Sequence, residues 1–272
     1  MIRVRDIIGW LDSYAPFRYA ASWDHCGLQV GDPEARVERI MVALDATSGV
    51  LKEAETHRCR CLITHHPLIF RPLDSVRFDG YPGGIVARAI LKRINVIAAH
   101  TNLDAARGGT NEQLAGLLSL DRVEPLEIES AWAGEVRYAG MGCVGTLPRP
   151  LRLASFAESV ARLLGSSPVR AIGDPKKQIV RTALCTGSGA GLIGRAICAG
   201  ADVYVTGDIK YHEARQAEEQ DLCIVDVGHF ASEKLIVAPL AEWLRTKAVS
   251  ERAAVEILAA QSEKDPFRTV GA

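Results

Sequence analysis

The stretch that decides the fold is "RIMVALDATSGVLKEAETH", Arg39 to His57. Its first part, "RIMVALDAT", is a short apolar run of strand length, and "SGVLKEAETH" behind it carries a helical pattern. The same βα unit recurs along the chain. "RCRCLITHHP" leads into the helical "YPGGIVARAILKRI" and then the strand "NVIAAHTNLDA". Later, "IVRTALCTGSGAG" precedes "LIGRAICAGA", the strand "DVYVTGD" precedes "YHEARQAEEQ", and "LCIVDVGHF" precedes the amphipathic "SEKLIVAPLAEWLRTKA". Strands alternating with helices of this length predict an α/β fold with mostly parallel strands covered by helices on both faces.

The chain's 272 residues suffice for one large α/β domain or two modest ones, with most apolar surface buried. Lys+Arg 32 against Asp+Glu 33 gives a net charge of −1, so no global field favours nucleic acid or an anionic membrane. Arg3, Arg5 and Asp6 interrupt the opening segment "MIRVRDIIGWLDSYAPF". Neither a signal peptide nor a membrane span is expected there, and a cytoplasmic location is. The seven cysteines are odd in number, lack a C-x-x-C pair and mostly sit in apolar runs, which reads as reduced core residues. The breaks "PGG" at 82 to 84 and "GDPKKQ" at 173 to 178 do not resemble long flexible linkers.

In a sheet of this kind ligands bind beyond the carboxyl ends of the strands. Those ends carry Asp45, His65 and His66, His100 and Asp104, the glycine segment 187 to 191, Asp208 and His229. In "CLITHHPLIF", Cys61 to Phe70, neighbouring side chains of a regular strand would point to opposite faces, so the strand must end at the histidine pair, and Pro67 supports that. The plain alternative is a loop with one ring stacked and the other solvated. Counting His212, five of the seven histidines fall at or just after strand ends. Polar residues naturally end strands, which accounts for the aspartates easily and for clustered histidines poorly.

His229 and Glu233 are four apart, and so are His100 and Asp104; each pair shares one face if a helix starts directly after the strand. A nitrogen and oxygen set without thiolate suits Zn²⁺, Mn²⁺, Fe²⁺, Co²⁺ or Ni²⁺ and argues against a closed cysteine zinc site. Six candidate ligands exceed one tetrahedral ion, whereas two divalent ions about 3.5–4 Å apart, sharing a carboxylate, would use them. Gly187, Gly189 and Gly191 of "GSGAG" join a strand to a helix, where backbone N–H groups can hold a phosphate or where a tight turn allows close packing. A dinucleotide fingerprint would need glycine where Leu192 stands, although Asp208 sits about where the ribose acid would be. Within "TGDIKYHEA", Asp208 can orient a water and His212 can carry its proton near neutral pH; Asp208 reads equally as a helix N-cap.

Eight ordered segments, "WDHCGLQVGD", "VALDAT", "ITHHPLIF", "AAHTNLDAARGGTNEQLA", "GCVGTLP", "CTGSGAG", "YVTGDIKYHEA" and "VGHFASEKLIVAPLAEWL", resemble the NIF-three-like dinuclear metal proteins, widely labelled GTP cyclohydrolase I type 2. The resemblance implies that His66 and Asp104 bind one metal, His65 and His229 the other, and Glu233 bridges them, with His100 in a supporting position. His25 departs from the asparagine more often found there and adds a candidate weak ligand. Also implied are two intertwined α/β lobes, approximately 1–125 with 226–272 and 126–225, and a ring-shaped homohexamer. The connection from 105 to 180 is too short for the large central insertion of some members, which makes this the compact form. The implied activity is that of a dinuclear metal-dependent hydrolase with metal-bound hydroxide as nucleophile, acting on the imidazole carbon of GTP or on a phosphorus or amide carbon. The alternative is a metal-binding regulatory or interaction protein without turnover.

Overall fold

The segment that opens the sequence reading folds as the strand Arg39–Ala43 followed by the helix Ser48–Thr56, in a computed structural model describing residues 1–128, 140–166 and 168–268. Thr47 starts the helix by accepting the Val50 N–H on its side-chain oxygen at 3.1 Å, an N-cap worth about 1 kcal/mol. The chain divides into two units: Met1–Leu103 with Ile236–Lys264, and the residues between them with those from Asp265 on.

The first unit holds a five-stranded sheet in the order Glu256–Ala259, Arg39–Ala43, Cys61–Thr64, Asn95–Ala98, Gly27–Val30. The first four strands are parallel and the last is antiparallel. Met41, Leu62 and Val96 pack on one face with Val50, Leu51, Val86 and Ala89 from the helices Ser48–Thr56 and Gly83–Lys92. Ile40, Ile63 and Ile97, which alternate with them, are also fully buried, as period-two geometry requires of a sheet covered on both sides. Burying each such side chain contributes about 1.5–3 kcal/mol.

The second unit's six-stranded sheet runs Asp121–Glu127, Met141–Arg152, Gln178–Ser188, Val203–Gly207, Cys223–Asp226, Arg170–Ile172. Val203, Val205 and Val225 face one core with Phe156 and Leu114, while Tyr204 and Ile224 face another with Ile193 and Ala217. The largely parallel arrangement holds for the first sheet but not for this one. Here only the central strand Val203–Gly207 has parallel neighbours on both sides, and the other pairings are antiparallel. The long strand Met141–Arg152 is also irregular at "LPRP". Proline cannot donate to a ladder, and the pairing with Gln178–Ser188 jumps from Leu151↔Ile179 to Thr146↔Arg181, bulging out Leu147 to Pro150.

The units break at Leu103/Asp104 and Leu235/Ile236, compared with the lobe boundaries near 125 and 226 placed by the sequence reading. The helix Thr110–Leu117 puts Leu114 and Ala115 into the second core, and Leu235 packs against that core. All seven cysteines are free, and burial raises the thiols of Cys61 and Cys185 far above their ordinary range. No helix among the described residues is long and apolar enough to cross a membrane.

Candidate functional site

In the first unit the strand Cys61–Thr64 ends where the histidine pair begins. The ladder still carries the pair's backbone: His65 N–H donates to Ala43 O at 3.2 Å and His66 N–H to Leu44 O at 2.9 Å. The rings of His65, His66 and His100 lie 5.1, 5.1 and 5.6 Å apart between centroids. One ring nitrogen from each falls within 4.8 Å of the others, so the three form a group able to hold a metal ion.

Their orientation is fixed from behind. His65 Nδ1 is 3.0 Å from Ala99 O, and a carbonyl can only accept, so Nδ1 carries the proton and Nε2 the lone pair. His66 Nδ1 bonds Asp45 Oδ1 at 2.8 Å. His100 Nδ1 bonds Asp24 Oδ2 at 3.0 Å, and the Thr101 N–H, the Thr101 hydroxyl and the Cys26 thiol converge on that same oxygen. Burial by itself would raise the Asp24 carboxyl. The His100 contact outweighs it, with Thr101 and Cys26, and holds Asp24 far below the usual carboxylate range. Asp24 is therefore an anion that can only accept, and the thiol of Cys26 beside it is pushed up to about 12 by burial and by that charge.

The second unit supplies acids and one further histidine. His229 opens the helix His229–Lys234 after Gly228, and four residues on, Glu233 brings Oε2 to 3.0 Å from His229 Nε2. His229 Nδ1 bonds Asp208 Oδ2 at 2.7 Å, so in the neutral ring the proton sits on Nδ1 and Nε2 has the lone pair a cation would take. Asp104 is buried, accepts the Thr110 hydroxyl at 2.5 Å, and has a carboxylate oxygen within 4.8 Å of one of Glu233, itself buried. Two buried carboxylates close together are a repulsive arrangement that a bound cation relieves. The donor set fits divalent ions of the zinc, manganese, iron, cobalt or nickel kind.

Gly187, at the end of the strand Gln178–Ser188, has φ +67°, and a Cβ built on it would lie 2.0 Å from Glu233 Oε1. Its N–H donates to Ser232 Oγ and that of Gly189 to Thr206 Oγ1, at 2.9 and 3.1 Å. A Cβ built on Gly191 would meet nothing within 4 Å. His212 is exposed in the first turn of Tyr211–Glu219, with its ring 5.3 Å from that of Tyr211. Neither His212 nor His25 joins a metal-capable group among the described residues.

Sequence reading singled out Asp208 for a proton-handling role, and the structure adds an orienting contact to His229 that spacing alone did not reveal. The orienting roles of Asp45 and Asp24 were missed as well. Asp45 had a usable signal, as another acid at a strand end. For Asp208→Ala, the affinity for divalent ions is expected to fall about 10–100-fold, as for other residues that orient a ligand histidine. Competition against a chelator measures it, and unchanged affinity would show that His229 needs no such support.

An α/β protein whose strand ends carry oriented histidines and buried acids has side-chain groups that could hold a metal ion. The chain is a member of the Duf34/NIF3 (NGG1p interacting factor 3) family, whose sequence model matches residues 2–266. A relative from Clostridium acetobutylicum named "GTP cyclohydrolase 1 type 2 homolog" is 32% identical over 267 residues, 98% of each chain. A Staphylococcus aureus relative of the same name is 26% identical over an alignment of 371 residues covering 99% of this chain and 100% of its own, so it holds residues that this 272-residue chain lacks. Among solved structures, a Bacillus cereus protein related to NIF3 superposes with a TM-score of 0.93 at 27% identity, covering 99% of both chains.

Proposed function

We propose that His65, His66, Asp104, His229 and Glu233 hold two divalent metal ions, and that the protein is a metal-dependent hydrolase. His66 and Asp104 serve one ion, His65 and His229 the other, and Glu233 bridges. The observation that carries this reading is the common orientation of the three histidines: each has Nδ1 on an oxygen acceptor, Ala99 O, Asp45 or Asp208, so that Nε2 offers its lone pair. A bound pair of such ions supplies Lewis acidity and lowers the pKa of water to about 7.

The residues around the ligands then divide the remaining work. Asp45 and Asp208 hold the imidazoles in one tautomer, and Gly187 leaves room for the Glu233 carboxylate. His212, exposed, is a candidate for passing protons to solvent, and Asp208 is a second candidate for proton handling. The name of the relatives supports a nucleotide such as GTP as the small-molecule substrate, and the reaction proposed for it is hydrolytic opening of the imidazole ring. Within Gly187, Gly189 and Gly191, the phosphate-holding role falls chiefly to the segment around Gly191, since the other two N–H groups already have acceptors. Gly189 is a poor position for testing this role, because a Cβ there would meet Thr206 Oγ1 at 2.4 Å and Tyr204 Oη at 2.5 Å.

Elemental analysis of the purified chain, joined to a turnover screen with nucleotides, phosphodiesters and small amides, tests the reading. Two ions per chain and turnover with at least one loaded metal are expected. Bound ions without turnover under any loading would favour the metal-binding regulatory protein. The proposal extends to a cytoplasmic homohexamer, the assembly implied by the family resemblance, with Ile90, Leu91 and Val249 among the exposed apolar side chains available to an interface. Sedimentation in reductant is expected to show an assembly, and a 29.4 kDa species alone would contradict it.

A further inference from the structure

Leu44 and Asp45 follow directly on the strand Arg39–Ala43, and each N–H there needs an acceptor. Both use the same one: Glu263 Oε1 accepts the Leu44 and Asp45 N–H groups at 2.8 Å each. Glu263 reaches this point from the far end of the sequence because its segment is guided there. Glu256–Ala259 runs parallel beside Arg39–Ala43, and the Ala260 N–H continues the ladder onto Val42 O at 2.8 Å. The Gln261 and Ser262 N–H groups then donate to the two carboxylate oxygens of Glu53, at 2.9 Å each. One carboxylate thus docks the strap on the helix Ser48–Thr56, and the strap's own carboxylate returns to the strand end.

What Leu44 and Asp45 do next gives the contact a function. Leu44 O accepts the His66 N–H at 2.9 Å, and Asp45 Oδ1 accepts from His66 Nδ1 at 2.8 Å. Both the peptide and the ring of His66 therefore rest on the two residues that Glu263 clamps. His65 rests elsewhere, on Ala43 O and Ala99 O. The Asp45 side chain is 42% exposed, so water would offer its carboxylate other rotamers if its backbone were not held.

We propose that Glu263 is a positioning residue for His66. Through the clamped Leu44–Asp45 peptide it sets the ring plane and the Nδ1–H tautomer, and with them the direction in which Nε2 meets a divalent cation. The cation part rests on the metal reading above; the positioning part does not.

The test uses the full chain and two readouts: imidazole nitrogen NMR of the metal-free protein, and Zn²⁺ and Co²⁺ affinity by chelator competition. In Glu263→Ala, the His66 nitrogens are expected to shift toward a mixture of tautomers while those of His65 stay in place. Ion affinity should fall about tenfold or more, the low end for residues behind a metal ligand. Glu263→Gln, whose amide oxygen still accepts both N–H groups, should restore both readouts. In an Asp45→Ala background, Glu263→Ala should add less than it costs alone, because both changes act on one ring.

Parent-like His66 tautomer and affinity in Glu263→Ala, or a loss fully additive with Asp45→Ala, would overturn the proposal and leave the strap a stability element. If Glu263→Ala does not fold, Glu263→Asp, one methylene shorter, is read the same way, and a parent-like tautomer there is equally fatal. A chain that binds no ion, yet whose His66 tautomer still follows Glu263, would remove the metal reading and leave the positioning role standing.

Discussion

Glu233→Gln is expected to empty both ion positions together, with affinity lowered more than about 100-fold, beyond the loss typical of residues that only orient a ligand. Glu233 is 3% exposed, its Oε2 faces His229 Nε2 at 3.0 Å, and Asp104 brings a second buried carboxylate within 4.8 Å. An amide keeps the volume but has only one acceptor oxygen and no charge, so it cannot bridge two cations as a carboxylate does. It also has a donor. The new N–H can bond a neutral His229 at Nε2, and one charge of the close Asp104–Glu233 carboxylate pair is gone, so the metal-free variant should melt no lower than the metal-free parent. Elemental analysis together with thermal melts in chelator separates these effects. Two ions per chain, held as tightly as in the parent, would remove Glu233 as the bridge.

Much of this arrangement was legible because strand ends are local. His65, His66, His100, Asp208 and His229 sit where apolar runs of strand length stop, and the four-residue step from His229 to Glu233 survives as a helix that opens on the histidine. The partners behind the imidazoles were harder to read. Asp24 reaches His100 because Gly27–Val30 pairs antiparallel with Asn95–Ala98, Gly27 opposite Ala98, and no local pattern announces which edge of the sheet an early strand will take. Glu263 reaches Asp45 by a parallel pairing between opposite ends of the chain. The second sheet's antiparallel half was hidden for a different reason: prolines at 148 and 150 break the alternation that marks a strand, and the bulge that accommodates them appears only when both strands are in view.

Gly187 shows the same limit from the side of a single residue, and it leads to the second large effect. In sequence "GSGAG" reads equally as an anion loop or as a tight turn that allows close packing, and in the structure the first glycine lies against the Glu233 carboxylate. Gly187→Ala combines two penalties. The position has φ +67°, where a side chain costs about 1–2 kcal/mol, and the added Cβ would stand 2.0 Å from Glu233 Oε1 and 3.4 Å from His229 Nε2. The Gly187 N–H is held by Ser232 on the same helix as Glu233, so the strand cannot withdraw without losing that bond. The carboxylate must move instead. The variant is therefore expected to lose about 1–3 kcal/mol of stability and to bind divalent ions as poorly as Glu233→Gln. Gly191→Ala is the matched control: its φ is not positive and nothing lies within 4 Å of the added carbon, so stability and ion binding should both stay at the parent's level. Denaturant unfolding and chelator competition on the two variants decide the matter. Parent-like ion affinity in Gly187→Ala would mean that the Glu233 carboxylate can bind from another rotamer, and that the glycine is required by the turn alone.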